Sequence, residues 1–301
     1  MLAIAVSERE VRYLSWESHG DEVRLLACQV IPWEQTVDGF HNIANVRELI
    51  KQITTQNAAE GLPLLYLTID ASFCKYSVLE VDPAWDVGEQ LDFILKCRFG
   101  STPFYESFQY PVDLVRGLYL NIDFPVVLRR AISAALPTVG TQQRLLSIGV
   151  FSAMNYARQV VPGLDRGRRM FWRVSEDGRD QFLEILEGQF QALHLLDRDG
   201  GQVHHITTTG RSKLRNPIAT FVEQLAEGQD ALFPEVENVF VYQGSGTEEF
   251  LERILEREQS SVSLLNPFWR WNWPEAPEAD NRFNQSAFAE LAHAVWAVKR
   301  V

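Results

Sequence analysis

The chain has 301 residues, of which 46% are hydrophobic and 23% are charged, so it can bury a large core and suits two lobes better than one. Its formal net charge of −12 argues against a nucleic-acid-binding surface and favours a basic partner. Glu8 interrupts the short apolar N-terminus, and no apolar run has the length of a membrane span, so we expect a cytoplasmic protein.

The first elements predict an α/β sheet. Three strand-like runs at residues 2–6, 11–16 and 23–31 are separated by turn residues, which is typical of an antiparallel meander. Apolar residues at helical spacing then predict a helix over 43–53. The continuous apolar run 64–69 is typical of a buried parallel strand, so the order is βββαβ.

A less regular block follows and interrupts this order. Its predicted elements are a strand at 76–81, a helix over 87–95, strands at 104–114 and 116–122, and a helix over 125–136. A short apolar run at 145–150 and a helix that ends at Pro162-Gly163 complete the first half. The polar stretch 163–169 is the predicted boundary between the halves.

The second half repeats the first pattern. Strand-like runs at 170–174, 181–186 and 190–195 precede a helix over 218–225 and a strand at 239–242, which is βββαβ again. A helix over 250–255, a strand at 262–265 and a helix over 288–296 complete the predicted elements. The chain therefore reads as two related halves, one of which carries an insertion.

Residues 236–255 form a joint between a buried strand and a helix. Gly244 and Gly246 permit backbone conformations that a Cβ would penalise, and Thr247 is placed to cap the helix. Such joints in α/β sheets can hold a nucleotide, which makes Gly244, Ser245, Gly246 and Thr247 candidate cofactor-binding residues. The order G-S-G-T lacks a phosphate-binding lysine, so tight packing is the favoured interpretation.

The cysteines and histidines predict no metal or catalytic centre. Cys28, Cys74 and Cys97 are far apart in apolar patterns, which predicts buried thiols. The histidines lack ligand spacing, and His204 and His205 adjoin a glycine pair that predicts a solvated loop.

The segment 266–274 has an unusual aromatic content. It places Trp269, Trp271 and Trp273 within a proline-rich connection. Tryptophan is enriched at interaction hot spots but also packs long loops onto their own domain. Both interpretations stay open, and the alternation of the three rings favours self-packing.

Several stretches in order along the chain carry a family resemblance. They are the strand at 76–81 and helix around 89–96 after Ile69, the return at 146–153, the joint at 239–255, Leu264-Leu265-Asn266-Pro267-Phe268, and the helix at 286–299. Together they resemble the actin-like (ribonuclease H-like) ATPase fold, two duplicated βββαβαβα lobes around a nucleotide cleft. In particular they resemble the branch that holds the type IV pilus protein PilM and the cytoplasmic domain of the type II secretion protein GspL, which has an inserted subdomain in its first lobe. The resemblance implies a first lobe at 1–162, with the insertion at about 73–136, and a second at 163–301.

The chain departs from the family where catalysis is expected. Ala5 and Arg173 stand at the positions where the resemblance implies an aspartate in each phosphate turn, and Ser7 and Ser175 replace glycines. Arg12 stands near the lysine of the family. We therefore expect no hydrolysis of ATP and at most weak ATP binding.

Four acidic residues in these turns allow two interpretations. Glu8, Glu10, Glu176 and Asp177 would be metal ligands if a nucleotide bound, or ordinary polar turn residues if none did. The second is favoured because no other motif completes a metal site, so we predict no metal and no catalytic residue.

The resemblance implies a non-catalytic cytoplasmic scaffold of a type IV pilus or type II secretion-like machine. Its partner would be the cytoplasmic tail of a single-span inner-membrane protein, which would hold the chain at the inner face of that membrane. The alternative is a functional ATP-binding protein of the same family. A free-standing carbohydrate or small-molecule kinase is a weaker alternative, since no catalytic aspartate can be placed.

Aromatic residues in the insertion are the candidate anchors for that tail. Phe99, Phe104, Tyr105 and Phe108 flank a Gly-Ser-Thr-Pro turn, and the three tryptophans above complete the candidate partner-binding set. Burial of these rings in the core of the insertion is the more ordinary alternative.

Overall fold

A computed structural model describes most of the chain. The described residues are 1–19, 22–37, 41–57, 62–99, 104–136, 141–175, 178–199, 202–214, 218–227, 235–245, 247–255, 261–268 and 285–298. Within these ranges the chain forms three β-sheets and seven α-helices.

The elements follow the predicted order with one addition. The strands are β1 (Leu2–Val6), β2 (Glu10–His19), β3 (Glu22–Pro32), β4 (Leu62–Ile69), β5 (Lys75–Glu80), β6 (Tyr105–Asp113), β7 (Leu118–Pro125), β8 (Thr141–Ile148), β9 (Arg168–Ser175), β10 (Arg179–Leu186), β11 (Gln189–Asp199), β12 (Gln202–Gly210), β13 (Asn238–Ser245) and β14 (Val262–Leu264). The helices are α1 (Ile43–Asn57), α2 (Val87–Phe99), α3 (Val126–Ala135), α4 (Gly149–Val160), α5 (Ile218–Ala226), α6 (Glu248–Leu255) and α7 (Ala289–Val298).

The two larger sheets share one topology. The first has the order β3-β2-β1-β4-β8, and the second has β12-β11-β10-β9-β13-β14. In each sheet the first strand of the meander pairs antiparallel with the second and parallel with the strand after the helix. Strands β4 and β13 are therefore equivalent interior strands of two separate sheets, as the repeated element order predicts. The lobe boundary between residues 162 and 163 stays a prediction.

The second sheet has a fourth meander strand that the sequence did not predict. Strand β12 pairs antiparallel with β11 at the edge of the sheet. The prediction that His204 and His205 lie in a loop is wrong, because both lie in this strand with exposed side chains. An edge strand buries few side chains, so its sequence is polar and resembles a loop.

The insertion forms the third sheet, with antiparallel order β5-β7-β6. Helix α2 covers part of it through Leu91, which packs with Leu79 and Val81. Among the described residues, β6 is the last strand of this sheet. The element order predicted for this block is confirmed.

Helices α4 and α7 join the two halves. Helix α4 belongs to the first half, but its residues pack with Phe171 and Leu183 of the second sheet. Helix α7 belongs to the second half, but Leu291 and Val295 pack against the first sheet around Leu14. The exchange carries residues of each half into the space between the sheets.

The three cysteines differ in burial. Cys74 is buried and Cys28 is half-buried, but the prediction of a buried thiol is wrong for Cys97, which is exposed on α2. Among the described residues, no helix combines the length and apolarity needed to cross a membrane.

Candidate functional site

The turn between β1 and β2 is closed by its own hydrogen bonds. The Ser7 backbone N–H donates to the Glu10 carbonyl (3.0 Å), and the Glu10 N–H donates to Ser7 Oγ (3.2 Å). The Trp33 indole N–H donates to the Ser7 carbonyl from outside the turn (2.9 Å). Both N–H groups therefore donate within the turn, whereas in phosphate-binding turns of other proteins such groups point at the phosphate.

The turn between β9 and β10 is organised by a buried carboxylate. Asp180 accepts hydrogen bonds from the Ser175 N–H (3.0 Å), the Trp172 indole (3.0 Å) and the Arg198 guanidinium (2.7 Å). Burial raises the pKa of Asp180, and the Arg198 charge opposes that rise. The Ser175 N–H is thus also engaged by the protein.

Arg173 lies at the centre of the cleft between the two large sheets. Its Nη2 is 2.7 Å from Asp70 Oδ2 and its Nε is 3.0 Å from Glu290 Oε1, while its Nη1 donates to Ser175 Oγ (2.7 Å). Burial, the largest single effect, disfavours the charged forms of Arg173 and Asp70, but their mutual attraction and their other polar partners, Glu290 for Arg173 among them, together outweigh it. This attraction contributes to both pKa shifts. It raises the pKa of the guanidinium and, with hydrogen bonds from Ser72 and Gln181, holds the pKa of Asp70 below its usual value.

Glu290 is shared by residues from both halves. Its second oxygen lies 3.0 Å from Arg12 Nη2, and the Tyr242 hydroxyl donates to its first oxygen (3.1 Å). Arg12 also donates to the Ala287 carbonyl. A Cβ at Gly149 would lie 2.5 Å from Glu290 Oε1, so glycine at the start of α4 gives this carboxylate its room.

Burial and the Glu290 charge raise the pKa of the Tyr242 hydroxyl well above its usual value, so it stays a neutral donor. We call Arg12, Asp70, Arg173 and Glu290 the ionic cluster. It links β2, the end of β4, β9 and α7, and every member is buried.

The mouth of the cleft is closed by a further ion pair. Arg179 Nη1 lies 3.1 and 3.2 Å from the two carboxylate oxygens of Glu8. Between this pair and the ionic cluster a cavity of about 10 Å³ remains, which is room for about one water. Gln181 Oε1, a buried atom of a residue that lines this cavity, makes no hydrogen bond to the described protein.

These residues do not fit a magnesium-bound triphosphate. Arg173 brings positive charge to the position where the fold implies a carboxylate that organises the metal. The N–H groups of Glu10 and Ser175 donate to acceptors of the protein, and ion pairs fill the space between the two turns. Among the described residues, no group of three His, Cys, Asp or Glu side chains could hold a metal ion.

The candidate nucleotide-binding residues are only partly described. Gly246 and the side chain of Ser245 lie outside the described residues. Thr247 precedes α6, is buried, and accepts the Leu251 N–H through its carbonyl. Its hydroxyl makes no hydrogen bond to the described protein. A nucleotide role for Gly244, Ser245, Gly246 and Thr247 stays a prediction.

Of the four candidate metal ligands, two are described by the structure and two are not. Glu8 pairs with Arg179, and Glu10 Oε1 lies 3.3 Å from Arg12 Nε. Glu176 and Asp177 lie outside the described residues. The described pair are partners of arginines, and the structure gathers no metal-ligand set around them.

The candidate partner-binding aromatics differ in exposure. Phe104 is 73% exposed and Phe108 is 44% exposed, so the interpretation that these two rings are buried in the core of the insertion is wrong. Tyr105 is half-buried, with Lys75 Nζ 4.5 Å from its ring centre. The Phe99 side chain, Trp269, Trp271 and Trp273 lie outside the described residues. Their partner role stays a prediction.

An apolar groove of about 520 Å³ lies against side chains of β6 and β7. Its walls come from β6 and β7 of the insertion, β8, α4 and the β10–β11 turn. Side chains that line it include Phe108, Tyr110, Leu146, Ile148, Met154 and Phe190. Among the described residues β6 and β8 are each the last strand of their sheet, and side chains of both line the groove. We call this the apolar groove.

Asp70, Glu290 and the apolar groove were not predicted from the sequence. Asp70 directly follows a buried strand, and Glu290 is the only acidic residue in the apolar stretch 287–298, which are signals that could have marked them. The groove had one signal in sequence, the aromatic residues at alternate positions of β6.

Comparison with known proteins finds no matching family model and no matching curated protein. Among solved structures, a chain of the PilM-PilN type IV pilus biogenesis complex matches at 11% identity, covering 99% of this chain and 98% of that chain, with a TM-score of 0.61. The likeness establishes a shared fold, and the predicted actin-like α/β class is confirmed.

Two further structures are similar at lower TM-scores. The cytoplasmic domain of EpsL, from the type II secretion system of Vibrio cholerae, matches at 11% identity over 98% of this chain and 94% of that chain, with a TM-score of 0.47. A Bacteroides thetaiotaomicron protein of actin-like ATPase fold and unknown function matches at 8% identity over 87% and 89%, with a TM-score of 0.49.

Proposed function

We propose that this actin-like protein is a non-catalytic scaffold of a type IV pilus or type II secretion-like machine. In this proposal it binds the cytoplasmic tail of a single-span inner-membrane protein and is held by it at the inner face of that membrane. The apolar groove is the observation that carries the proposal. The solved structure of similar fold comes from a complex of PilM with PilN, which supports a partner-binding role.

The groove has the chemistry of a peptide site. Its lining is mostly apolar, and Leu146 and Phe108 keep 50% and 44% of their surface exposed although neighbouring strands could cover them. Apolar grooves of this kind bind peptide segments by accepting apolar side chains as anchors. An extended, apolar segment of the tail is therefore the proposed occupant.

The non-catalytic part of the proposal rests on the cleft. The ionic cluster and the Glu8–Arg179 pair occupy the space between the two turns, and the cavity that remains suits a water. In a scaffold, the same contacts would hold the two sheets together without a nucleotide.

The test compares two leucines of equal exposure. Leu146 on edge strand β8 is 50% exposed and lines the groove, whereas Leu26 on edge strand β3 of the same sheet is 51% exposed and lies outside it. Membrane proteins captured by the wild-type chain would be identified by mass spectrometry, and synthetic peptides of their cytoplasmic tails would be titrated. We expect Leu146→Asp to abolish peptide binding and Leu26→Asp to preserve it.

Equal binding by the two variants would remove the groove as the docking site. Capture of no inner-membrane protein, with magnesium-dependent ATP turnover, would favour the ATP-binding alternative.

A further inference from the structure

A second cleft of about 590 Å³ continues the apolar groove. It lies between the β6–β7 turn of the insertion and the edge of the second sheet near Gly210. The two cavities share four lining residues, Pro111, Val112, Gln189 and Phe190. A segment that occupies the groove can therefore extend past Pro111 into this second cleft.

The second cleft has five of the six charged side chains that line the two cavities, with an excess of one positive charge, and Arg158 adds one positive charge in the groove. Among the described side chains that line the two cavities, four are cationic and two are anionic. The cations are Arg116, Arg158, Arg211 and Lys213, and the anions are Asp113 and Glu187. The lining thus has an excess of two positive charges in a chain whose net charge is −12.

The two carboxylates are already engaged. Glu187 Oε1 accepts the Gly167 N–H (3.1 Å), and Asp113 accepts the Arg116 N–H (3.1 Å) and lies 3.5 Å from the Arg116 Nε. Three of the four cations are also paired with carboxylates, and Lys213 is the exception. Lys213 is exposed and has no partner among the described residues, and Arg116 is 68% exposed. Arg211 and Arg158 pair with Glu80 and Asp165, neither of which lines a cavity.

We infer, resting on the proposed function, that the bound segment combines an apolar stretch for the groove with an acidic stretch for the second cleft. Because exposed charges farther apart than about 8 Å are largely screened at physiological salt, the cations that line the cleft, rather than the net charge of −12, decide the local preference. The local preference is the reverse of the basic partner that the overall charge predicts.

The probe is a phage library of random peptides of about 12 residues, which span about 40 Å when extended. It would be selected on the full chain and counter-selected on Leu146→Asp. We expect the enriched sequences to carry an apolar run with Asp or Glu on one side of it. Enriched sequences with Lys or Arg beside the apolar run, or without charge bias, would overturn the inference and leave the proposed function standing.

Two matched double variants then test the position of the charges. Arg116→Glu with Lys213→Glu changes the cleft, and Lys51→Glu with Arg253→Glu makes the same change in net charge at exposed helix positions outside both cavities. We expect an enriched acidic peptide to bind about threefold to tenfold more weakly to the cleft variant and unchanged to the control, the range expected for a few exposed ion pairs.

Equal weakening in both double variants would contradict the inference, because it would assign the effect to net charge. Failure of the wild-type chain to enrich any peptide over Leu146→Asp would overturn the proposed groove and this inference together.

Discussion

Arg173 on β9 and Asp70 at the end of β4 form a buried ion pair, with Nη2 and Oδ2 2.7 Å apart, that joins the two large sheets. Glu290 on α7 holds the same guanidinium from the other side. A buried charge without its partner is costly, whereas exposed pairs contribute little. The ionic cluster therefore makes predictions about stability that surface ion pairs do not.

Neutralising Glu290 should destabilise the fold strongly. Glu290→Gln leaves Arg12 and Arg173 without a shared carboxylate, and we expect a loss of about 3–5 kcal/mol in the free energy of unfolding, measured by urea denaturation. Glu80→Gln, which removes an exposed pair with Arg211, is the control and should cost less than about 1 kcal/mol.

If Glu290→Gln prevents folding, Tyr242→Phe removes one hydrogen bond to Glu290 and should cost about 1 kcal/mol. Similar losses for Glu290→Gln and Glu80→Gln would contradict a structural role for the cluster.

The contribution of Asp70 should depend on pH in a defined direction. Its pKa is held below the usual value in the folded state, so its ionised form adds stability above the unfolded pKa of about 3.9 and loses it as the pH falls through the folded pKa. The difference in unfolding free energy between wild type and Asp70→Asn should be constant above about pH 5 and shrink below about pH 4. A difference that grows on acidification would show that the carboxyl is not ionised in the cluster.

Magnesium-ATP should neither stabilise the protein nor be hydrolysed. The N–H groups of Ser7, Glu10 and Ser175 donate to acceptors of the protein itself, and Arg173 lies at the centre of the cleft. A nucleotide present at 100 times its dissociation constant would add about 2.7 kcal/mol, so a thermal shift assay with millimolar magnesium-ATP is sensitive enough. Turnover that Glu8→Ala or Asp177→Ala abolishes would overturn this prediction and favour the ATP-binding alternative.

The three thiols should differ in reactivity. Burial raises the pKa of Cys28 and of Cys74 to about 12, whereas Cys97 is exposed on α2. A thiol reagent such as DTNB should label Cys97 rapidly in the native protein at neutral pH and all three thiols in denaturant. Cys97→Ser should remove the rapid phase, and its persistence in that variant would contradict the assigned burial.

The sequence by itself determined the succession of elements. The runs around β1, β4 and β13 are continuously apolar because both faces of an interior strand are covered, and such runs are legible without knowledge of their neighbours. That Ala5 and Arg173 stand next to predicted turns could also be read from the sequence, and their role as replacements stays a prediction. Strand β12 could not be predicted from the sequence, because an edge strand with one solvent-exposed face carries the same polar residues as a loop.

Only the tertiary structure decided what those residues do together. Arg12 and Glu290 are 278 residues apart, and their contact depends on the exchange by which α7 packs on the first sheet. The apolar groove likewise needs the edges of β6 and β8 and the β10–β11 turn to meet. Periodicity describes which face of one element is apolar, whereas long-range partners are set by how whole sheets and helices pack, and that information is spread over the entire chain.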